Sequence, residues 1–212
     1  MRCPLCEGVA CHHFLTVEGR EYWRCEDCLA TFLHPAQLPS REAELARYRL
    51  HRNDRGDAGY RRFLGRLASP LLERLPLTQR GLDYGCGPEP VLAMMLREAG
   101  HDVALFDPLF QTDGDVLART YDFIACSEVA EHFHHPADEF ERLDALLAPG
   151  GWLALMTAFL TDDAAFARWH YRSDPTHVLF YREETLRFLA RRRGWRCEIP
   201  CTDVALMQKP TA

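Results

Sequence analysis

Hydrophobic positions along the chain recur in two periods, and the changes between them outline the elements. Short apolar runs at 14–17 and 21–24, with Glu18-Gly19 between them, predict a β-hairpin. Helical spacing follows over 40–50, where Ser40 is placed to cap and Glu42 and Glu44 fall in the first turn. A second helical pattern runs from Gly59-Tyr60 through Leu75. Beyond residue 79, short apolar strands at 82–84, 103–106, 121–126 and 153–156 alternate with helical stretches at 88–99, after Pro136 and at 185–193. Segments 195–199 and 204–207 then read as a final antiparallel pair. Strands alternating with helices predict an α/β protein built on a largely parallel sheet.

The hairpin lies between two CxxC pairs, Cys3/Cys6 and Cys25/Cys28, eighteen residues apart. Each CxxC turn aims two thiolates at one point, and four thiolates satisfy tetrahedral zinc. The pattern predicts a closed, structural zinc ribbon, because so short a segment cannot bury much core and a metal would supply its folding energy. Cys11, His12 and His13 are rival ligands without a second partner at matching spacing. A redox CxxC is disfavoured, since no thioredoxin-like βαβ pattern surrounds either pair. Cys86, Cys126, Cys197 and Cys201 read as small apolar residues.

The stretch that organises the rest is Gly81-Leu82-Asp83-Tyr84-Gly85-Cys86-Gly87-Pro88-Glu89-Pro90. It reads as a strand turning sharply into a helix, with Pro88 in the first helical turn. Its glycines let a ligand approach the backbone, and the helix N-terminus offers free N–H donors. Two absences narrow the ligand. Pro90 stands where a dinucleotide fingerprint needs its third glycine or alanine, and a P-loop lysine with its Ser/Thr is missing.

With Asp107 closing the next strand, this stretch resembles the first two motifs of class I S-adenosylmethionine-dependent methyltransferases. Asp83, Gly85 and Gly87 match the first motif and Asp107 the second. Ser127-Glu128-Val129-Ala130-Glu131-His132-Phe133 is similar to the fourth-strand motif of quinone and other small-molecule members, and Pro149-Gly150-Gly151 to the turn before the fifth strand. The resemblance implies a Rossmann-like sheet with helices on both faces, and S-adenosylmethionine held by Asp83, Gly85, Cys86, Gly87, Asp107, Pro108, Cys126 and Ser127. It further implies that Glu128 and His132 face the methyl acceptor. Glu128, Glu131 and His132, at i, i+3 and i+4 of one helical turn, are placed either to hold a divalent cation or to let His132 take a proton. His177, in the aromatic-rich stretch after the fifth strand, is a second candidate base or positioning donor. The chain departs from the family over 108–120, which has room for little beyond a loop; Asp113 and Asp115 are weak candidates for the adenine contact.

Three regions follow: a ribbon over 1–38, a helical linker or lid over 39–78, and a Rossmann-like domain over 79–212. If the middle region is a lid, Tyr48, His51, Asn53 and Tyr60 contact ligand; if it is a linker, it only packs the ribbon in place. The net charge of −6 disfavours a broad nucleic-acid footprint. Of the 25 basic residues only Lys209 is lysine, and the arginine clusters at 41–66 and 191–193 read as solvated helix faces. No signal-like or membrane-length apolar run stands out, so a cytoplasmic setting with reduced thiols is expected. The acceptor is expected to be a small metabolite, quinone-like or a sugar. The alternatives are a ribbon-guided RNA methyltransferase and a binding protein with a vestigial methyltransferase fold.

Overall fold

The computed structural model describes residues 1–48 and 56–211; the side chain of Tyr48, together with Leu50, His51 and Asn53, lies outside the described residues. The amino-terminal hairpin is β1 (Cys11–Val17) against β2 (Arg20–Cys25). Its turn places both Glu18 and Gly19 at positive φ (52° and 78°), the two-residue geometry that matches strand twist. A third strand, β3 (Thr31–Leu33), pairs with β2. The helix α1 (Arg41–Tyr48) starts after Ser40, whose hydroxyl accepts from the Ala43 N–H at 3.3 Å. Helix α2 (Ala58–Leu72) is capped by Asp57, which accepts from the N–H groups of Gly59 and Tyr60. It stops short of the expected Leu75, after Pro70 has removed one rung of its hydrogen bonds.

The main sheet contains β4 (Arg80–Tyr84), β5 (Asp102–Phe106), β6 (Tyr121–Ser127), β7 (Leu147–Met156), and, beyond a short strand β8 (Leu179–Phe180) that lies outside it, β9 (Arg196–Cys201) and β10 (Val204–Gln208). Its order is β5-β4-β6-β7-β10-β9, parallel from β5 to β7 and antiparallel for the last two. Side chains alternate along the strands. Phe123 and Ala125 meet α2 and α3 (Val91–Glu98) on one face; Ile124 and Cys126 meet α4 (Pro136–Leu146) and α6 (Glu183–Arg192) on the other. This is the expected mixed α/β architecture with helices on both faces.

Two further boundaries differ from the sequence reading. Helix α3 begins at Val91 rather than Pro88, since Pro90 lacks an N–H and disfavours helical backbone at Glu89 before it. It ends as expected, with Gly100 at φ 95°. Strand β7 starts at Leu147 and runs through Pro149-Gly150-Gly151, with Gly150 at φ 79°, so the turn is absorbed into a longer strand. Over 108–120 the described chain forms only a bridge between Asp107 and Gln111 and one 3-10 turn, Gly114–Ala118.

The ribbon is not isolated from the sheet. Strand β3 pairs with β8, giving a second sheet of order β1-β2-β3-β8. Cys3, Leu5 and Phe32 share one core with Phe140, Tyr181 and Leu189, so a segment too short for its own core uses that of the larger one.

Candidate functional site

Strand order reverses direction between β4 and β6, and open α/β sheets bind ligands at the carboxyl ends of the strands flanking such a point. A cavity of about 970 Å³ opens there. It is lined by Asp83, Gly85, Cys86 and Gly87 after β4, by Asp107 and Pro108 after β5, and by Ser127, Glu128, Glu131 and His132 after β6. His177 and Tyr171 close it from the segment beyond β7.

Gly85 and Gly87 adopt φ of 82° and 64°, which only glycine takes without strain. A Cβ on Gly85 would overlap the Val129 side chain, whereas one on Gly87 would meet nothing within 4 Å among the described residues. The second glycine therefore borders open space. Asp107 accepts from the backbone N–H of Gly87 (2.9 Å), Leu109 (2.8 Å) and Phe110 (3.0 Å), which aims its carboxylate across the turn. Asp83 accepts from the Ala93 N–H at 3.2 Å, and burial pushes its carboxyl up to about 7. Ser127 presents a buried hydroxyl with no hydrogen-bond partner among the described residues.

Cys126 does not join this group. It is fully buried in the core beneath the sheet, because Ser127 and Cys126 alternate across the pleat. Asp113 is exposed and spends its carboxylate on the Asp115 N–H; neither acid lines the cavity. Leu109 and Phe110 line that end instead. The sequence signal for them was present: two apolar residues in a loop directly after the strand-ending acid.

Glu128, Glu131 and His132 do not share one helical face. Glu128 sits in the left-handed region (φ 54°) with its N–H bonded to Met156, and the 3-10 turn spans only Ala130–His132. The described residues that could together coordinate a cation are Glu131, His132 and His177, with candidate ligand atoms within 4.8 Å of one another. Glu128 lines the cavity separately; burial, and then the Glu131 charge, push its carboxyl up to about 9, so it holds a proton at neutral pH. His177 is placed by the turn in which Asp174 accepts from the Thr176 N–H and hydroxyl. Its ring centroid lies 4.2 Å from that of Tyr171, the planes tilted by 57°, and burial lowers it to about 4, leaving a neutral imidazole.

Helices α1 and α2 border the cavity. Arg41, Glu44 and Arg47 of α1 and Tyr60 and Phe63 of α2 line it. Arg41 donates to the Pro108 carbonyl (3.2 Å), Arg47 pairs with Asp174 (2.9 Å), and Glu44 stands 2.9 Å from His134. His134 thus belongs to the cavity wall.

The four ribbon cysteines are buried, with all four sulfurs within 4.8 Å. Cys3 and Cys28 lie 3.7 Å apart and Cys6 and Cys25 3.5 Å apart. Tetrahedral zinc with bonds of about 2.3 Å spaces its sulfurs about 3.8 Å apart, so the set fits a closed zinc site. Cys11 stays outside it, hydrogen-bonded to the Gly8 carbonyl.

An open parallel sheet with a glycine turn, a strand-ending acid and a shared crevice defines a methyltransferase-type nucleotide fold. The model of a family described as a methyltransferase domain matches residues 55–198. The chain belongs to that methyltransferase family. Its fold is similar to solved structures of S-adenosylmethionine-dependent methyltransferases. One is 1,6-didemethyltoxoflavin-N1-methyltransferase of Burkholderia thailandensis, solved with bound S-adenosylhomocysteine (17% identity, 94% of this chain and 99% of that one, TM-score 0.52). Another is the magnesium protoporphyrin IX methyltransferase of Synechocystis (16%, 80% and 94%, 0.52). A third, an O-methyltransferase family protein of Burkholderia thailandensis, has 15% identity and a TM-score of 0.52 over 80% of this chain. The chain spans 63% of that structure's length and 58% of a calicheamicin-biosynthesis methyltransferase's. At such identities the likeness is one of fold. A search of the curated proteins found no match.

Proposed function

We propose that this chain transfers a methyl group from S-adenosylmethionine to a small-molecule acceptor. One observation carries the reading: the Gly85–Gly87 turn and Asp107 share a single cavity with Glu128, His132 and His177, so a donor half and an acceptor half face each other. The donor half fits the cofactor. Gly87 borders open space, Ser127 offers an unsatisfied hydroxyl, and Asp107 stands at the strand end where a ribose would be met. Asp83 beneath the turn supports it, and Leu109 and Phe110 supply apolar surface for a base.

When bound, S-adenosylmethionine supplies an activated methyl on a sulfonium, a good leaving group, so the protein's task is chiefly alignment. Glu128, protonated at neutral pH, donates a hydrogen bond to the acceptor. His132 and His177 line the acceptor side, where a proton released from the nucleophile would be received. Helices α1 and α2 border the site and keep water from it.

A small acceptor agrees with the cavity's volume of about 970 Å³ and with the net charge of −6. Several surface arginines are paired with acids, as in Arg61–Glu98, Arg66–Asp203 and Arg187–Glu183, which reduces the basic surface open to a polyanion. The names of two neighbours of like fold, acting on a toxoflavin precursor and on magnesium protoporphyrin, support the same class. The ribbon over 1–38 is proposed to hold structural zinc, consistent with a cytoplasmic setting where thiols stay reduced. No described helix is long and apolar enough to cross a membrane.

Calorimetry with S-adenosylhomocysteine tests the reading. Micromolar binding of one molecule per chain is expected; no heat at millimolar ligand would point to the vestigial alternative.

A further inference from the structure

We propose that Glu131, His132 and His177 form a second metal site, distinct from the four cysteines, which holds one divalent cation in the acceptor half of the cavity. The set differs from the one expected from sequence: His177 takes the place of Glu128.

Three observations converge. Glu131 is fully buried, and neither carboxylate oxygen has a hydrogen-bond partner among the described residues. A buried carboxylate left so is costly unless a cation meets it. The nearby Tyr171 hydroxyl is bonded to Thr157 at 3.0 Å, and His132 Nε2 stands 3.8 Å from Glu131 Oε1.

The two imidazoles are oriented alike. His132 Nδ1 lies 3.0 Å from the Thr176 carbonyl, and His177 Nδ1 lies 2.7 Å from the Tyr171 carbonyl. A carbonyl can only accept, so each ring donates from Nδ1, which in the neutral imidazole leaves the lone pair on Nε2. Backbone carbonyls fix metal-ligating histidines in this way. Their rings are 4.7 Å apart, and the three candidate ligand atoms fall within 4.8 Å. Two imidazoles and one carboxyl group therefore converge on one point.

The donor set names the class of ion. Two imidazoles and a carboxylate suit first-row divalent cations with open positions, whereas the thiolate site suits zinc. All three residues line the cavity, so the open positions face the acceptor. Ion binding stands independently of the methyl-transfer reading. Its use rests on that reading: an acceptor oxygen bound to the ion would lose its proton to water more readily and attack the methyl carbon, with S-adenosylhomocysteine as the leaving group.

Manganese is the probe, because four thiolates compete poorly for it. Chain purified with zinc and cleared of loosely held metal by chelation is titrated with Mn²⁺ and followed by electron paramagnetic resonance. One Mn²⁺ per chain is expected, weakened at least about 10-fold in His177→Ala and in Glu131→Gln. Glu128→Gln should shift it less than about 3-fold. Absence of binding at millimolar Mn²⁺, or equal affinity in His177→Ala, overturns the proposal. A loss in Glu128→Gln matching that in His177→Ala would also overturn it in favour of the other set. Should Glu131→Gln fail to fold, His177→Ala decides. Calorimetry with S-adenosylhomocysteine on the same samples separates the two failures: Mn²⁺ bound without it sinks only methyl transfer, and the reverse sinks only the metal site.

Discussion

The backbone N–H of Leu33, in the ribbon, donates to the carbonyl of Val178 at 2.8 Å, one residue after His177. Val178 in turn donates its own N–H to the Glu131 carbonyl at 2.9 Å. The ribbon is thereby connected through two backbone bonds to the acceptor half of the cavity. Removing zinc, or Cys25→Ser, should raise amide exchange at Val178 and Phe180 at least about 10-fold as local opening becomes easier. Hydrogen-exchange mass spectrometry reads this; unchanged protection at 178–180 would show that the ribbon is a passive neighbour.

Arg20 reaches from the hairpin to the carbonyls of Pro175 (3.0 Å) and His177 (3.4 Å). Arg20→Ala should cost about 0.5–1.5 kcal/mol, the worth of ordinary hydrogen bonds. Because the bonds hold the acceptor-side turn, cofactor affinity should stay level while KM for the acceptor rises. A matched loss in both would contradict this.

The two turn glycines should fail differently. Gly85→Ala drives a methyl into Val129 at positive φ, an overpacking cost of about 1–3 kcal/mol visible in the melting temperature. Gly87→Ala meets nothing within 4 Å among the described residues and carries only the left-handed cost of about 1–2 kcal/mol. Its larger effect should be on S-adenosylhomocysteine binding, about 10-fold or more. Similar ligand affinity in Gly87→Ala and the parent would separate that glycine from the ligand.

Asp107→Ala removes the acceptor of three backbone N–H groups. A hydrogen bond to a charged group is worth about 1.5–3 kcal/mol, so calorimetry should show S-adenosylhomocysteine weakened about 10- to 100-fold. Asp107→Asn should recover part of it.

Asp83 has a carboxyl held at about 7 by burial, against about 3.9 in an unfolded chain. The folded state grips the proton more tightly, so this contribution to stability is whole below about pH 4, shrinks as pH rises and is gone by about pH 7. Asp83→Asn abolishes that titration. Its melting temperature should gain on the parent's from pH 4 to pH 8; parallel curves would contradict the raised carboxyl.

Much of the site was legible where its parts are close in sequence. The CxxC pairs, the glycine turn and Asp107 announce themselves because each depends on residues within a few positions. Local rules also failed locally: Pro88 looked like a helix start, but Pro90 two residues later controls where α3 begins. Cys126 stands at the end of a motif strand, where position alone points to the cavity, but strand alternation turns it into the core. Glu128 was grouped with Glu131 and His132 on helical spacing that its left-handed backbone interrupts.

By itself the sequence determined the alternation of strands and helices, the paired thiols and the bend that marks the sheet's binding edge, since periodicity and turn chemistry are written in neighbouring residues. Only tertiary structure decided that His177 meets Glu131, that β8 leaves the main sheet to extend the ribbon, and that α1 borders the cavity. Those contacts join residues tens of positions apart. They depend on how apolar faces pack and which backbone edges remain to be paired, which no local pattern encodes.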